Sequence, residues 1–222
     1  MSTLAQLRDR VEQSLLDTTN AVFTANLIDE CIRQVLDQYN TVSPLAKETV
    51  VVLPGDGREI AIDALTDLEK VTEVWWPYDS GATSETWPPN RVTGFRIYWD
   101  DARPVLFIDV LAGDQPQTDD EVRVWYVARH TIQDLDSGAA TTVPAAHESI
   151  LTIGAAGAAA MARAVDLMET SGTDLYAIGL MATWGRAKQR EYTAFLKGLK
   201  DQGARSGPSW GAGWVMDKWD GV

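Results

Sequence analysis

The chain opens with two stretches in which hydrophobic residues recur at helical spacing. The apolar face of the first stretch consists of Leu4, Leu7, Val11 and Leu15. Ser2 or Thr3 is placed to cap the start of this helix. The apolar face of the second stretch consists of Leu27, Ile28, Cys31, Ile32, Val35, Leu36 and Tyr39. The pattern predicts a second helix that is capped by Thr24 and ends near Asn40, because Pro44 prevents its continuation.

The period changes to that of β-strands in the middle of the chain. β-Prone segments follow one another at short intervals, at 49–53, 58–62, 71–76, 94–99, 105–111 and 121–129. The residues PGDG between the first two segments predict a hairpin turn, and DDARP, from Asp100 to Pro104, predicts another turn. These segments predict a small antiparallel sandwich or barrel. Adjacent strand residues point to opposite faces, so Trp75–Trp76 and Tyr98–Trp99 leave aromatic surface for a partner to cover.

A helical pattern returns after Pro144, which is compatible with the first turn of a helix from about Ala145 to Met168. The middle of this helix, GAAGAAAMARA, has so little side-chain bulk that a neighbouring helix can approach closely. A final helix is predicted to run to about Leu199. The whole pattern predicts an α+β fold, in which a helical bundle built from both ends of the chain carries an inserted antiparallel β-sandwich or barrel module. The expected parts are N-terminal helices at 1–46, the β module at 47–135, C-terminal helices at 136–202 and an extended tail at 203–222.

The expected tail carries three tryptophans, Trp210, Trp214 and Trp219, among glycines. A segment so poor in predicted regular structure cannot bury three indoles by itself. Tryptophan is enriched at binding hot spots, and disordered tails are usually depleted in aromatic residues. We therefore interpret 203–222 as a docking arm that orders on another surface, with packing back onto its own domain as the alternative.

Another tryptophan lies in the polar loop between Pro77 and Arg91, where it is followed by two prolines. These three residues are Trp87, Pro88 and Pro89. An indole exposed among polar residues indicates a contact surface. The loop is predicted to touch a neighbouring subunit or an adjacent ring of an assembly.

Composition narrows the possible partners of the chain. Its 222 residues include 45% hydrophobic residues, enough for a sizeable core, and the formal net charge is -13. Such a charge argues against a general nucleic-acid binder. Cys31 is the only cysteine, which suits a reducing cytoplasm. The charges of MSTLAQLRDR predict no secretion signal, and the Ala- and Gly-rich run 150–162 is too short and too weakly hydrophobic to predict a membrane span.

No catalytic, cofactor-binding or metal-binding residue emerges from the motifs. His130 and His147 are far apart in sequence, and His147–Glu148 lacks the second histidine of an HExxH motif. The acidic groups at 100–101 and 119–121 stand at turn-like positions and are interpreted as solvated turn residues. The chain is therefore expected not to be an enzyme.

Several segments together resemble a head-to-tail adaptor, or connector, protein of tailed bacteriophages and prophages. The residues that carry the resemblance are LAQLRDRVEQSLLD, LIDECIRQVLDQY, the middle around VTEVWWPYD and VRVWYVARHTI, and VPAAHESILTIGAAGAAA. The resemblance spans roughly Leu4 to Leu199 and rests on the order of the elements and the proline-opened, alanine-rich helix. The strand-rich insertion is larger than in the smallest members of that family.

The resemblance implies a structural protein of the virion neck, assembled in the bacterial cytoplasm as a ring that typically has twelve copies. Its partners would be the portal protein, stopper or tail proteins, and other copies of itself. The tryptophans of the tail would dock on the portal, and DNA would pass through the ring without specific binding, because fixed negative charge offers phosphates no partners. No membrane is implied.

Two alternatives stay open at this stage. One is another virion component, such as a stopper, a tail-completion protein or a tail-associated protein. The other is a module in which strand aromatics such as Trp99 and Trp125 hold a carbohydrate.

Overall fold

The computed structural model describes residues 1–19, 21–81, 90–101, 103–111, 113–169 and 174–206, with the side chains of 203–206 excepted. The chain divides into two compact units. A helical unit comprises residues 1–43 and the chain from His130 onward, and a β unit comprises residues 44–129. Helices at both ends and antiparallel sheets in the middle confirm the predicted α+β fold.

The described part of the helical unit contains four helices: α1 (Leu4–Leu15), α2 (Ala25–Val42), α3 (Ala145–Met168) and α4 (Leu175–Ser206). Thr3 caps α1 in a capping box with Gln6, and the hydroxyl of Thr24 accepts the Leu27 N–H of α2, so both predicted cap positions are confirmed. Pro144 stands immediately before α3, as expected. The helix starts are therefore determined locally, by side chains within one turn of the helix.

The connection from α1 to α2 is tied down by one buried carboxylate. Asp17 accepts backbone N–H groups from Ala21, Val22 and Phe23, at 3.0, 2.8 and 2.7 Å. These hydrogen bonds hold the pKa of Asp17 below its usual value, against the opposing effect of desolvation. Asp17 therefore satisfies three loop donors that no helix would satisfy.

The alanine-rich middle of α3 is buried, and α4 crosses it at close range. A methyl group added to Gly157 would lie 2.9 Å from the carbonyl oxygen of Gly185 in α4. A methyl group added to Gly154 would lie 2.9 Å from Cγ of Tyr192. The expectation of a closely approaching helix is therefore confirmed: the distance between the two backbones requires Gly157, and the ring of Tyr192 requires Gly154.

The last helix is longer than its sequence pattern suggested. α4 continues past Leu199 to Ser206, through the first residues of the segment expected to be an extended tail. Lys200, Gln202 and Ala204 favour a helix, and α4 continues through Gly198 and Gly203 although glycine disfavours one.

The β unit contains six described strands: β1 (Leu45–Val52), β2 (Glu59–Ala61), β3 (Leu68–Tyr78), β4 (Phe95–Asp100), β5 (Arg103–Ile108) and β6 (Glu121–Ala128). They form two antiparallel three-stranded sheets, a first sheet in the order β1-β6-β3 and a second in the order β2-β5-β4. Their apolar faces share one core, which includes Ile60, Val74, Leu106 and Val124. The unit is a small sandwich, and β4 and β5 form the hairpin predicted across DDARP.

The predicted hairpin across PGDG is wrong, because β1 and β2 belong to different sheets. The segment is instead bonded to the connection between β5 and β6. Asp56 accepts the N–H and the hydroxyl of Thr118, at 2.7 and 2.8 Å, and Gly57 N–H donates to the Pro116 carbonyl at 2.9 Å. Long-range hydrogen bonds therefore replace the local bonds of a hairpin turn.

Candidate functional site

The six residues predicted to bind partners all lie outside the described residues. They are Trp210, Trp214 and Trp219 of the tail and Trp87, Pro88 and Pro89 of the loop. Their roles stay predictions. The candidate surfaces below are therefore built from the part of the chain that the structure describes.

The end of the α3–α4 hairpin exposes a group of large apolar side chains. We call these residues the hairpin end: Val165 and Met168 at the end of α3, and Leu175, Tyr176 and Leu180 at the start of α4. Tyr176 is 74% exposed and Leu175 is 76% exposed. Exposed side chains of this kind, gathered at one place, are typical of a protein–protein contact surface.

Acidic side chains surround the hairpin end. Asp166, Glu169 and Asp174 are all exposed there. Arg163 pairs with Asp166 and neutralises one of the three carboxylates. Asp174 also accepts the N–H of Tyr176 at 2.9 Å, which helps to start α4. The hairpin end is therefore an apolar patch with a negative rim.

The second half of α4 carries the opposite charge. We call Arg186, Arg190, Lys197 and Lys200 the basic stripe. The last three lie 4, 11 and 14 residues after Arg186, so a helix with 3.6 residues per turn brings all four to one side. All four are exposed, and none makes an ion pair within the described residues. In contrast, Lys188 on the other side of α4 pairs with Glu191 at 3.1 Å.

Small residues accompany the basic stripe on the exposed side of α4. Ala187, Ala194 and Gly198 are all exposed. A methyl group built on Gly198 would meet no atom within 4 Å. This part of α4 is therefore a surface of small residues beside a row of cations, with the carboxylates of Glu191 and Asp201 also exposed on this side of the helix.

The outer face of the first sheet holds an aromatic cluster around one arginine. The Arg123 guanidinium lies 4.9 to 5.3 Å from the ring centroids of Trp75, Tyr78 and Trp125, and it pairs with Glu48. The hydrogen bond to Glu48 raises the pKa of Arg123. Arg123 therefore already occupies the positions over these rings that a ligand would need for stacking.

The structure does not bring the two aromatics of the carbohydrate hypothesis together. Trp99 belongs to β4 in the second sheet and is 66% exposed, whereas Trp125 belongs to β6 in the first sheet. Two aromatics in different sheets do not form one stacking platform. The buried indole Nε1 of Trp125 has no hydrogen-bond partner among the described residues.

A buried carboxylate that the motifs did not single out organises the start of the helical unit. Glu148 accepts the N–H and the hydroxyl of Ser2, at 2.8 and 2.6 Å, and a 3.1 Å hydrogen bond from Arg10. Burial alone would raise its pKa, but the bonds from Ser2 and Arg10 outweigh burial and leave the pKa lowered. The arrangement anchors the first residues on α3 and is structural. Its sequence signal, one acidic residue in the first turn of a helix, is too common to identify it.

The two histidines both pack edge-on against Tyr39, whose ring centroid lies 5.3 Å from that of His130 and 5.8 Å from that of His147, and each also has a polar partner. Nδ1 of His147 lies 2.7 Å from the hydroxyl of Tyr39, and His130 N–H donates to the Asn40 amide at 2.7 Å. Within the described residues, no group of three or more His, Cys, Asp or Glu side chains could hold a metal ion.

One surface cleft of about 210 Å³ lies in the helical unit, lined by Ser14, Ile153, Ala156, Trp184 and Lys188. This volume is below the roughly 300 to 1,000 Å³ of usual small-molecule sites. Among the described helices, α3 is long and apolar enough to cross a membrane, but half of the relevant stretch is buried against protein. Burial of that kind is what a core helix of a bundle requires.

Comparisons with known proteins yield solved structures only. No protein-family model and no curated protein matches the chain. One similar structure is the neck of an empty gene transfer agent (GTA) particle computed with C6 symmetry, with 15% identity, a TM-score of 0.29 and coverage of 82% of this chain and 86% of the other. A second is from the virion of a native GTA particle, with 18% identity, a TM-score of 0.29 and coverage of 82% and 87%. Similarity at this level does not establish a shared function.

Proposed function

We propose that this chain is a structural protein of a phage-like virion neck, where it forms a ring between portal and tail around the DNA exit channel. The observation that carries the proposal is the surface of α4. Its buried side packs on α3, while its exposed side presents an apolar patch and cations that have no ion pair among the described residues. A helix with this division of surfaces suits a protein whose work is to contact other proteins. The resemblance to head-to-tail adaptors supplies the kind of assembly.

The finer assignments follow the same resemblance. The ring has twelve copies, its neighbours are the portal protein and the stopper or tail proteins, and it assembles in the bacterial cytoplasm. Trp210, Trp214 and Trp219 dock on the portal, and Trp87, Pro88 and Pro89 contact a neighbouring subunit or ring. The net charge of -13 lets DNA pass without specific binding. The protein has no enzymatic role and no cofactor.

The test compares three forms of the protein for binding to the purified portal protein of the source phage: the full chain, a chain ending at Ser206, and a full chain with Trp210, Trp214 and Trp219 changed to Ala. The cut after Ser206 leaves α4 complete. We expect the full chain alone to bind. Equal binding by all three forms would contradict the role of the tail. Binding of the full chain to tail proteins but not to portal would favour a stopper or tail-completion protein.

A further inference from the structure

We propose that the hairpin end of one copy docks on the second half of α4 of a neighbouring copy, beside its basic stripe. This inference rests on the proposed ring and names the surfaces that close it. The carrying observation is that one helix bears two complementary exposed surfaces: an apolar patch with a negative rim, and a small-residue surface with a positive edge.

The first step is shape. The hairpin end presents bulky side chains, of which Leu175 and Tyr176 are the most exposed. The receiving surface presents Ala187, Ala194 and Gly198, which leave room for such side chains. Bulky residues facing small ones exclude water from both, and this exclusion is the main source of binding free energy in protein association.

The second step is charge. Glu169 and Asp174 leave the rim of the hairpin end negative, whereas the basic stripe has four cations without an ion pair among the described residues. Other cations of the helical unit are paired, as in Arg8–Asp29 and Arg33–Asp136. Opposite charges around an apolar contact set its register and suppress wrong pairings.

The third step is that the two surfaces cannot meet within one copy. Tyr176 and Arg190 stand on the same helix, 14 residues apart, or about 21 Å at 1.5 Å per residue. A continuous helix keeps them at that distance. The partner is therefore a second copy, and because the two surfaces differ, the contact is of the head-to-tail kind that generates closed rings or filaments rather than isolated dimers.

Charge exchange in the full-length protein tests the contact. One variant carries Arg190→Glu and Lys197→Glu, which break no ion pair among the described residues. A second carries Asp166→Lys and Glu169→Lys, cations that the end of α3 accommodates through its helix dipole. A third carries all four changes. The matched control carries Lys70→Glu and Arg103→Glu, exposed positions in the β unit.

The readout is molar mass by analytical ultracentrifugation over a range of protein concentrations, with circular dichroism to verify folding. We expect each double variant to weaken self-association by at least about tenfold. The variant with all four substitutions should recover most of the lost association, and the control should match the wild type. Changing Tyr176 and Leu180 together to Ser should also weaken association, and this loss should persist at high salt, where charge effects are screened.

The outcomes separate the contact from the ring. If both double variants assemble as the wild type does, the contact is overturned and the proposed ring still stands. A wild type that stays monomeric, alone and with portal protein, would overturn both. A third outcome is that the wild type binds a DNA duplex at physiological salt, and that Arg190→Glu with Lys197→Glu abolishes this binding without changing assembly. This outcome would assign the basic stripe to nucleic acid and overturn the contact.

Discussion

The α3–α4 crossing of the helical unit and the core of the β unit are packed in opposite ways. In the helical unit, glycine and alanine of α3 let α4 approach until Gly157 and Gly185 face each other. In the β unit, the space between the sheets is filled by branched aliphatic side chains such as Ile60 and Leu106. The contrast teaches that added volume should harm the α3–α4 crossing, whereas removed volume should harm the core of the β unit.

The surfaces of the two units differ as well. In the β unit, Arg91, Arg123 and Arg129 each pair with a glutamate of the same unit. In the helical unit, the basic stripe of α4 is left without such pairs among the described residues. Exposed cations without an ion pair among the described residues also occur in the β unit, at Lys70, Arg96 and Arg103, so the distinction of α4 is that four such cations lie along one side of one helix.

The largest effect should come from removing volume in the β unit. Leu106→Ala leaves a cavity between the sheets and should lower the free energy of unfolding by about 3 kcal/mol, as for other fully buried leucines. Urea unfolding followed by circular dichroism measures the loss. Val52→Ala, at an exposed position of β1, is the control and should change little. Equal losses would contradict the proposed core.

Adding volume to the helical unit should have the next largest effect. Gly157→Ala places a methyl group 2.9 Å from the Gly185 carbonyl oxygen, so α4 must move, and we expect a loss of about 2 kcal/mol. Gly179→Ala in α4 meets no atom within 4 Å. It should instead stabilise by up to about 1 kcal/mol, because alanine favours a helix. A stabilising Gly157→Ala would show that the crossing is looser than described.

The buried polar network of the helical unit should make its stability depend on pH. Because the folded-state pKa of Glu148 is lowered, its contribution is present above the unfolded value of about 4.3 and is lost as pH falls through the folded value. Glu148→Gln should cost about 1.5 kcal/mol at pH 7.

The difference between Glu148→Gln and the wild type should shrink as pH falls below about 4, which urea unfolding at several pH values would measure. The control is Glu191→Gln at the exposed pair with Lys188, whose cost should stay near zero at every pH. A cost of Glu148→Gln that does not vary with pH would argue against an ionised Glu148.

The smallest effect concerns one buried hydrogen bond in the helical core. The hydroxyl of Tyr192 donates to the Val35 carbonyl at 2.7 Å, so Tyr192→Phe should cost about 1 kcal/mol. Tyr176→Phe at the exposed hairpin end serves as the control and should be neutral for a monomer, as measured by urea unfolding in dilute solution. Equal effects would mean that the bond between α4 and α2 contributes nothing.

The sequence predicts only part of the candidate surface on α3 and α4. The basic residues near the end of α4 are visible in the sequence, but their lack of ion pairs among the described residues is a property of the folded chain. The exposure of Leu175, Tyr176 and Leu180 also runs against their hydrophobic character, which by itself predicts burial. Neither feature has a local signal, because each depends on which surfaces the other described segments leave uncovered.

The sequence by itself determined the type and the start of most elements. Thr3, Thr24 and Pro144 act within one turn of the helices that they open, and the small residues of α3 predict a close neighbour wherever that helix packs. Only the tertiary structure decided that β1 pairs with β6 and that Asp56 bonds to Thr118 rather than closing a hairpin. The physical reason is range: caps and periodicity act over a few residues, whereas strand partners, paired charges and exposed patches depend on segments that are distant in sequence.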